Sequence, residues 1–312
     1  MSERNMPTDP MKSKRLRGYA ALWLGVFTSS LSPILVKGGD APTIVTTFYR
    51  MAIAAVFWTF VVLERTIRGK EGLFREVRAN PSWLIFPVAA GFCSSFDHGL
   101  WSLALNTESV NKASVLNSLS PVWISLVGLL ILKENFNKKF WIGLALVIIG
   151  MAVTSGKGQS LFSGGFSGGD LLAFCSSFFY AGYFFFTQLG RRRFSVITQT
   201  WIYILFCALG LMVFVMKMGH PFTGYSRSAW INFFVLSLIS QIGGYFLLTY
   251  ALGTLPATIV SPSTSLKTVF STVIAWIFLK EIIPSFQIIG SLIIIAGVIL
   301  VNLGKEEEKI KN

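Results

Sequence analysis

Residues 113–134 read ASVLNSLSPVWISLVGLLILKE, and residues 257–281 read ATIVSPSTSLKTVFSTVIAWIFLKE. Each begins at an alanine, passes a polar run that holds a proline, continues as an apolar segment and ends on Leu-Lys-Glu. Gly143 and Gly150 follow the first Leu-Lys-Glu (Leu132-Lys133-Glu134), and Gly290 and Gly297 follow the second (Leu279-Lys280-Glu281), at a constant offset of 147 residues. The same offset relates Ala104-Leu105 to Ala251-Leu252. A fixed offset across such different residue types marks an internal repeat.

The rest of the chain says what solvent this repeat lives in. It is 312 residues long, 53% hydrophobic and only 13% charged, with a mean hydropathy of +0.63. Soluble domains carry about 25% charged residues, and a water-facing exterior of this chain would be largely apolar. The net charge of +13 does not indicate nucleic acid, because the basic residues form no stripe and sit in short segments between apolar spans. Cys93, Cys175 and Cys207 all lie within apolar spans, with no CxxC, so they read as small packing residues. With two histidines in the chain, neither a metal site nor any cofactor is expected.

A bilayer crossing needs about 20 mostly apolar residues. Ten stretches qualify as spans: Leu16–Val36, Thr43–Leu63, Trp83–Leu105, Asn111–Leu132, Phe140–Ser155, Gly169–Leu189, Val196–Met216, Ala229–Leu252, Ala257–Leu279 and Phe286–Leu303. Unpaired backbone is excluded from lipid, so they are expected to be helices. With the N-terminus inside, 19 lysines and arginines fall in inner segments and 6 in outer ones, leaving Arg50 and Lys267 within spans. This bias places both termini in the cytoplasm. The expected fold class is all-α integral membrane, with ten transmembrane helices as two inverted five-helix repeats. Residues 1–17 form an N-terminal tail, 18–156 the first repeat, 157–304 the second, and 305–312 a C-terminal tail. Five helices per repeat invert the second copy, an architecture in which substrate sites lie between repeats near mid-membrane.

The chain resembles the drug/metabolite transporter superfamily with two EamA-type repeats. The residues that carry the likeness are Phe48-Tyr49-Arg50, Ala113-Ser114-Val115-Leu116 through Pro121 to Leu132-Lys133-Glu134, and Gly143 to Gly150; in the second repeat they are Ala257, Pro262, Phe278-Leu279-Lys280-Glu281 and Gly290 to Gly297. The likeness spans roughly residues 18 to 303. It implies a metabolite transporter, acting as an exporter, rather than an enzyme. The ninth span is about three residues longer than its counterpart and carries Lys267. A lysine at this depth is similar to that of the sugar-phosphate and nucleotide-sugar branch of the superfamily, where it meets phosphate.

Charge within a span costs about 2.5–3.5 kcal/mol per residue on insertion scales, so the ionisable residues there are the candidate site. Lys267 lies about 15 Å into its helix; it either attracts an anionic group of the substrate or pairs with Asp97. Asp97 is a candidate proton carrier or amine partner, or else a salt-bridge partner of Arg50 or Lys267. His98 is a candidate proton relay or a hydrogen-bonded structural histidine. It points about 100° from Asp97, so one of the two is expected to face the cavity centre. Arg50, about two turns into its helix, is a candidate anion contact or a structural donor. Pro121 and Pro262 remove the backbone partners of the Asn117 and Thr258 carbonyls and are expected to break their helices at matching places. Asn117 and Ser263 are the polar candidates beside those breaks. In the aromatic sixth span, Tyr183 is the candidate inward-facing ring, with Tyr180 as its alternative.

The sequence contains no HExxH or GxxxxGK[ST] pattern, so neither zinc-hydrolase chemistry nor an ATPase is indicated. The expected partners are a small-molecule substrate (an amino acid or related zwitterion, or an anionic metabolite) and the lipid bilayer, with no nucleic acid. Monomer and homodimer stay open. The absence of an Asn-x-Ser/Thr sequon fits a bacterial inner membrane.

Overall fold

The computed structural model describes residues 10–32, 41–69, 73–105, 110–155, 167–280 and 282–311. Among these residues the fold is all helical, without a strand. In chain order the helices are α1 (Pro10–Ser29), α2 (Thr43–Ile67), α3 (Ile85–Ala104), α4a (Val110–Asn117) with α4b (Ser120–Leu130), and α5 (Lys138–Thr154). They continue with α6 (Gly168–Gly190), α7 (Val196–Lys217) and α8, which is α-helical over Arg227–Leu236, π-helical over Ser237–Tyr245 and α-helical again over Phe246–Ala251. Then come α9a (Ala257–Ser263) with α9b (Leu266–Leu279), and α10 (Ser285–Lys311). A short helix, Leu73–Ala79, and a 3-10 turn, Pro81–Leu84, join α2 to α3.

Six of these rods are long and apolar enough to cross a membrane: Thr43–Ile67, Ala113–Leu130, Gly168–Gly190, Val196–Lys217, Arg227–Ala251 and Ser285–Lys305. Their outward faces carry large apolar side chains, such as Phe60 at 68% exposure and Leu292 at 62%. An apolar exterior of this kind requires lipid as its solvent. The chain is a multi-pass membrane protein.

The two halves meet through α5 and α10, the most extensive helix pair in the structure. A Cβ added at Gly143 would lie 2.7 Å from the Gly297 carbonyl oxygen, and one added at Gly297 would lie 2.7 Å from that of Gly143. Gly150 and Gly290 are related in the same reciprocal way at 2.8 Å. Since Gly143 corresponds to Gly290 and Gly150 to Gly297, each glycine meets the partner of the other. That is the signature of an antiparallel, two-fold-like contact, and the missing side chains let the backbones close. The pairings α3–α6 and α8–α1 repeat this relation further out, and α2 packs on α7.

The shared Leu-Lys-Glu also has a backbone meaning. Lys133 and Lys280 both take φ of 53° in the left-handed region, each just past the end of its helix. Helices commonly terminate through such a residue. Glu281 lies outside the described residues. Glu134 is more than a boundary residue: its Oε2 accepts from Thr258 Oγ1 at 2.9 Å and pairs with Lys305 at 2.9 Å. Lys305 is only 6% exposed, and α10 runs on to Lys311. The C-terminal tail expected from residue 305 is therefore a helical extension. Likewise α1 begins at Pro10, inside the expected N-terminal tail.

The breaks in α4 and α9 are real, but the prolines do not sit at matching places. Pro121 occupies the first turn of α4b, after the break, whereas Pro262 lies within α9a, before it. The turning residues are Ser118-Leu119 and Thr264-Ser265, and they are spanned by tighter bonds: Leu119 N–H to the Leu116 carbonyl, and Ser265 N–H to that of Pro262. Both sides of a break tolerate proline, because N–H groups in a first turn have no helical partner to lose and a freed carbonyl beside a break has polar neighbours.

Two outcomes test this packing. Gly150→Leu forces the α5–α10 backbones apart and should destabilise the protein by about 1–3 kcal/mol, as overpacking does. Gly168→Leu, where an added Cβ meets nothing within 4 Å, should leave the melting temperature in detergent nearly unchanged. Lys133→Gly should be tolerated, while Lys133→Val should lower that temperature, because a left-handed residue with a Cβ costs about 1–2 kcal/mol and branching at Cβ adds to the clash.

Candidate functional site

The two breaks and the middle of α8 surround a cavity of about 320 Å³. That volume suits a small metabolite. Ser29, Ser30 and Ser32 line it from the end of α1, Arg50 from α2, Asp97, His98 and Trp101 from α3, and Ser114, Asn117, Ser118, Ser120 and Pro121 from the α4 break. Met151 of α5, Tyr180 of α6, Tyr245 of α8 and Thr264, Ser265, Lys267, Thr268 and Ser271 of α9 complete the wall. These positions cluster toward the end of the bundle where α1 finishes and α2 begins. The Glu134–Thr258–Lys305 contact lies at the opposite end, where α4b finishes and α9a begins.

Asp97, 4% exposed, is held by α3 against the α4 break. Asn117 Nδ2 donates to Asp97 Oδ1 at 2.7 Å and reaches Ser176 Oγ at 2.8 Å. This contact explains why the chain places an asparagine at the last turn of α4a: its side chain ties the freed helix end to α3 and α6. His98 Nδ1 faces Asp97 Oδ2 at 3.8 Å, and Arg50 Nη2 lies 3.4 Å from His98 Nε2. A guanidinium only donates, so Nε2 is the acceptor and the imidazole proton sits on Nδ1, a tautomer assigned from this network.

Lys267 occupies the first turn of α9b, where the N-terminal end of the helix dipole adds to its positive potential. Its Nζ lies 4.6 Å from the centre of the Tyr245 ring and donates to the Tyr180 hydroxyl at 3.5 Å. Arg50 approaches the same Tyr245 ring, with Cζ at 5.9 Å from its centre. Among the described residues, neither Lys267 nor Arg50 has a carboxylate within 4.0 Å. The Arg50 Nε is buried without a hydrogen-bond partner.

Of the seven candidates from the sequence, Lys267, Asp97, His98, Arg50 and Asn117 converge on this cavity. Asp97 and His98 both line it despite their angular separation, because the cavity wraps around α3 toward α2 and α4. Ser263 does not reach it; the side chain is buried and donates to the Ile259 carbonyl at 2.8 Å. Tyr183 does not reach it either. At 1% exposure it lies among Tyr180, Tyr203 and Tyr245, with ring centres at 6.2, 5.3 and 6.3 Å. Tyr180 is the inward-facing ring of α6. The residue that sequence reasoning missed is Tyr245, at the end of the π-helical stretch, a local geometry common at functional sites. A signal for it existed: the offset of 147 carries His98 onto Tyr245. The helix ends that follow them match closely, with Leu105 at φ −65°, ψ −14° and Leu252 at φ −64°, ψ −14°.

Comparison with known proteins gives this architecture a family. The model of the EamA-like transporter family matches the chain twice, over residues 16–156 and 167–303. An uncharacterized transporter of Archaeoglobus fulgidus is 28% identical over 265 residues, 81% of this chain and 85% of the relative. The uncharacterized transporter YdfC of Bacillus subtilis (strain 168) is 23% identical over 205 residues, 65% of this chain and 66% of YdfC. A protein crystal structure, 17% identical, superposes with a TM-score of 0.71 over 93% of this chain and 98% of its own length, a likeness of fold. Matched across both of its halves, this chain belongs to the EamA-like transporter family.

Proposed function

We propose that the protein is a secondary transporter that exports a small polar metabolite, an amino acid or related zwitterion, across a bacterial cytoplasmic membrane by alternating access. In this reading ten transmembrane helices form two inverted five-helix repeats, residues 18–156 and 157–304, with both termini cytoplasmic. The observation that carries the reading is the cavity itself: Lys267, Arg50 and Asp97 face one space between two broken helices, deep among apolar rods. Lys267 and Arg50 serve a substrate carboxylate, and Asp97, oriented by Asn117, serves an ammonium. Anchoring groups of this kind, at the interface of inverted repeats, suit a carrier. A second reading, exchange of an anionic metabolite such as a sugar phosphate, is favoured by one feature: among the described residues Lys267 has no carboxylate partner.

The 19-to-6 bias of basic residues supports a reading in which the cavity lies on the outer side of the bundle and the Glu134–Thr258–Lys305 contact on the inner side. In this reading the open cavity belongs to an outward-facing state, and Glu134 serves as the inner latch. Between cavity and latch lie buried polar atoms without hydrogen-bond partners, among them Tyr183 OH, Thr187 Oγ1 and Ser261 Oγ. Such groups favour a path that hydrates in the opposite state, since buried polar atoms are ordinarily bonded.

Counterflow into proteoliposomes, with a panel of amino acids, sugar phosphates and nucleotide sugars read by mass spectrometry, should show accumulation of a zwitterion. Lys267→Ala and Asp97→Asn should each lower it at least tenfold with folding intact, and unchanged uptake would remove these residues from the site. Right-side-out and inverted vesicles compared in the same assay give the direction. For the latch, a single cysteine replaces Ser261 in a protein whose native cysteines are serine. It should react faster with an impermeant maleimide from the inner face when Glu134 is changed to Gln; equal rates would exclude Glu134 from gating.

A further inference from the structure

We infer that the substrate carries two anionic groups and one ammonium, as an amino dicarboxylate of net charge −1 does. The inference rests on the transporter reading of the same cavity and narrows its substrate class. Among the described residues, the ionisable side chains facing the cavity are Arg50, Lys267, Asp97, His98, Tyr180 and Tyr245. His98 accepts from Arg50 and is therefore the neutral imidazole. Tyrosine phenols are ordinarily neutral at pH 7. Among the described residues this leaves two basic side chains against one carboxyl group.

The partners sharpen this count. One oxygen of Asp97 is taken by Asn117 at 2.7 Å, and the other has only the long contact to His98 at 3.8 Å. Asp97 thus has one open acceptor, which suits one ammonium. Neither Lys267 nor Arg50 is neutralised by Asp97 at ion-pair distance, and the Arg50 Nε is buried with nothing to donate to. A buried unpaired charge is costly in a low-dielectric site. A neutral zwitterion supplies one carboxylate to these two cations and leaves an excess of +1. An amino dicarboxylate supplies both and leaves none.

Tyr245 sets the span between the two anionic groups. Lys267 and Arg50 lie 4.6 and 5.9 Å from the centre of its ring, so the cationic centres are separated by no more than the sum of these distances. Each cation is held by the ring quadrupole rather than by a carboxylate, which keeps both available. A short chain between two carboxylates fits that span, with its ammonium directed to the α3 side, where Asp97 stands.

The test uses the purified full-length protein in chloride-free buffer, with ligand-induced shifts of melting temperature measured beside counterflow. Glutamate and aspartate should stabilise the protein at concentrations at least tenfold below those of glutamine and asparagine, and succinate should be weaker than aspartate. Lys267→Gln should reverse the order of glutamate and glutamine, and Tyr245→Phe should preserve the wild-type order. The inference is overturned if amides bind as well as acids, if Lys267→Gln weakens both alike, if succinate equals aspartate, or if added chloride lets neutral amino acids bind as the acids do. It is also overturned if no member of the panel shifts the melting of the folded protein. Acid-selective binding without counterflow would overturn transport and leave the substrate class standing. Counterflow of neutral amino acids alone would do the reverse.

Discussion

Lys267 stands in the first turn of a half-helix, among rods whose outer faces are apolar. A charge there is tolerated only if the protein supplies polar surroundings, because lipid supplies none. The structure meets this demand by breaking two helices at Ser118-Leu119 and Thr264-Ser265, which exposes polar backbone and hydroxyl groups to the cavity. It adds an aromatic ring, Tyr245, close to the ammonium. The cavity, the breaks and the deep charges are thus one arrangement, and none of the three is tenable in a bilayer without the other two.

That arrangement is held by the contact between the repeats. Gly143, Gly150, Gly290 and Gly297 bring the α5 and α10 backbones together. The reciprocity of the contact relates α4 to α9 and α3 to α8 across one approximate axis. The repeats are not chemically alike around the site. His98 in one corresponds to Tyr245 in the other, and Asp97 corresponds to Gly244. The repeat therefore supplies the frame, while the divergence of these few positions makes the interior chemically asymmetric.

The two ends of the bundle differ for the same reason. On one side the walls are rich in serine and stay apart. On the other, Glu134 of the first repeat joins Thr258 and Lys305 of the second. A carboxylate that holds two elements of the opposite repeat ties the two repeats together at that end. The neighbouring tyrosines and hydroxyls form a dense polar interior that side-chain packing closes.

The membrane environment, the repeat and the membership of helices could be read from the sequence, because they follow from hydropathy, from a fixed offset and from the length a bilayer demands. Arg50, Asp97 and Lys267 were legible for a related reason: charge in an apolar span is rare enough to stand out alone. Asn117 was found through the polar run beside Pro121. What one dimension does not contain is direction and distance across helices. Whether Tyr180 or Tyr183 turns inward depends on the rotation of α6, and Ser263 was lost because its hydroxyl turns back to its own helix. Tyr245 depends on a π-helical stretch that changes the helical phase, for which periodicity gives no warning. The independence of Lys267 from Asp97, on which the charge balance of the site rests, is a matter of ångströms between side chains on different helices, and only tertiary packing decides it.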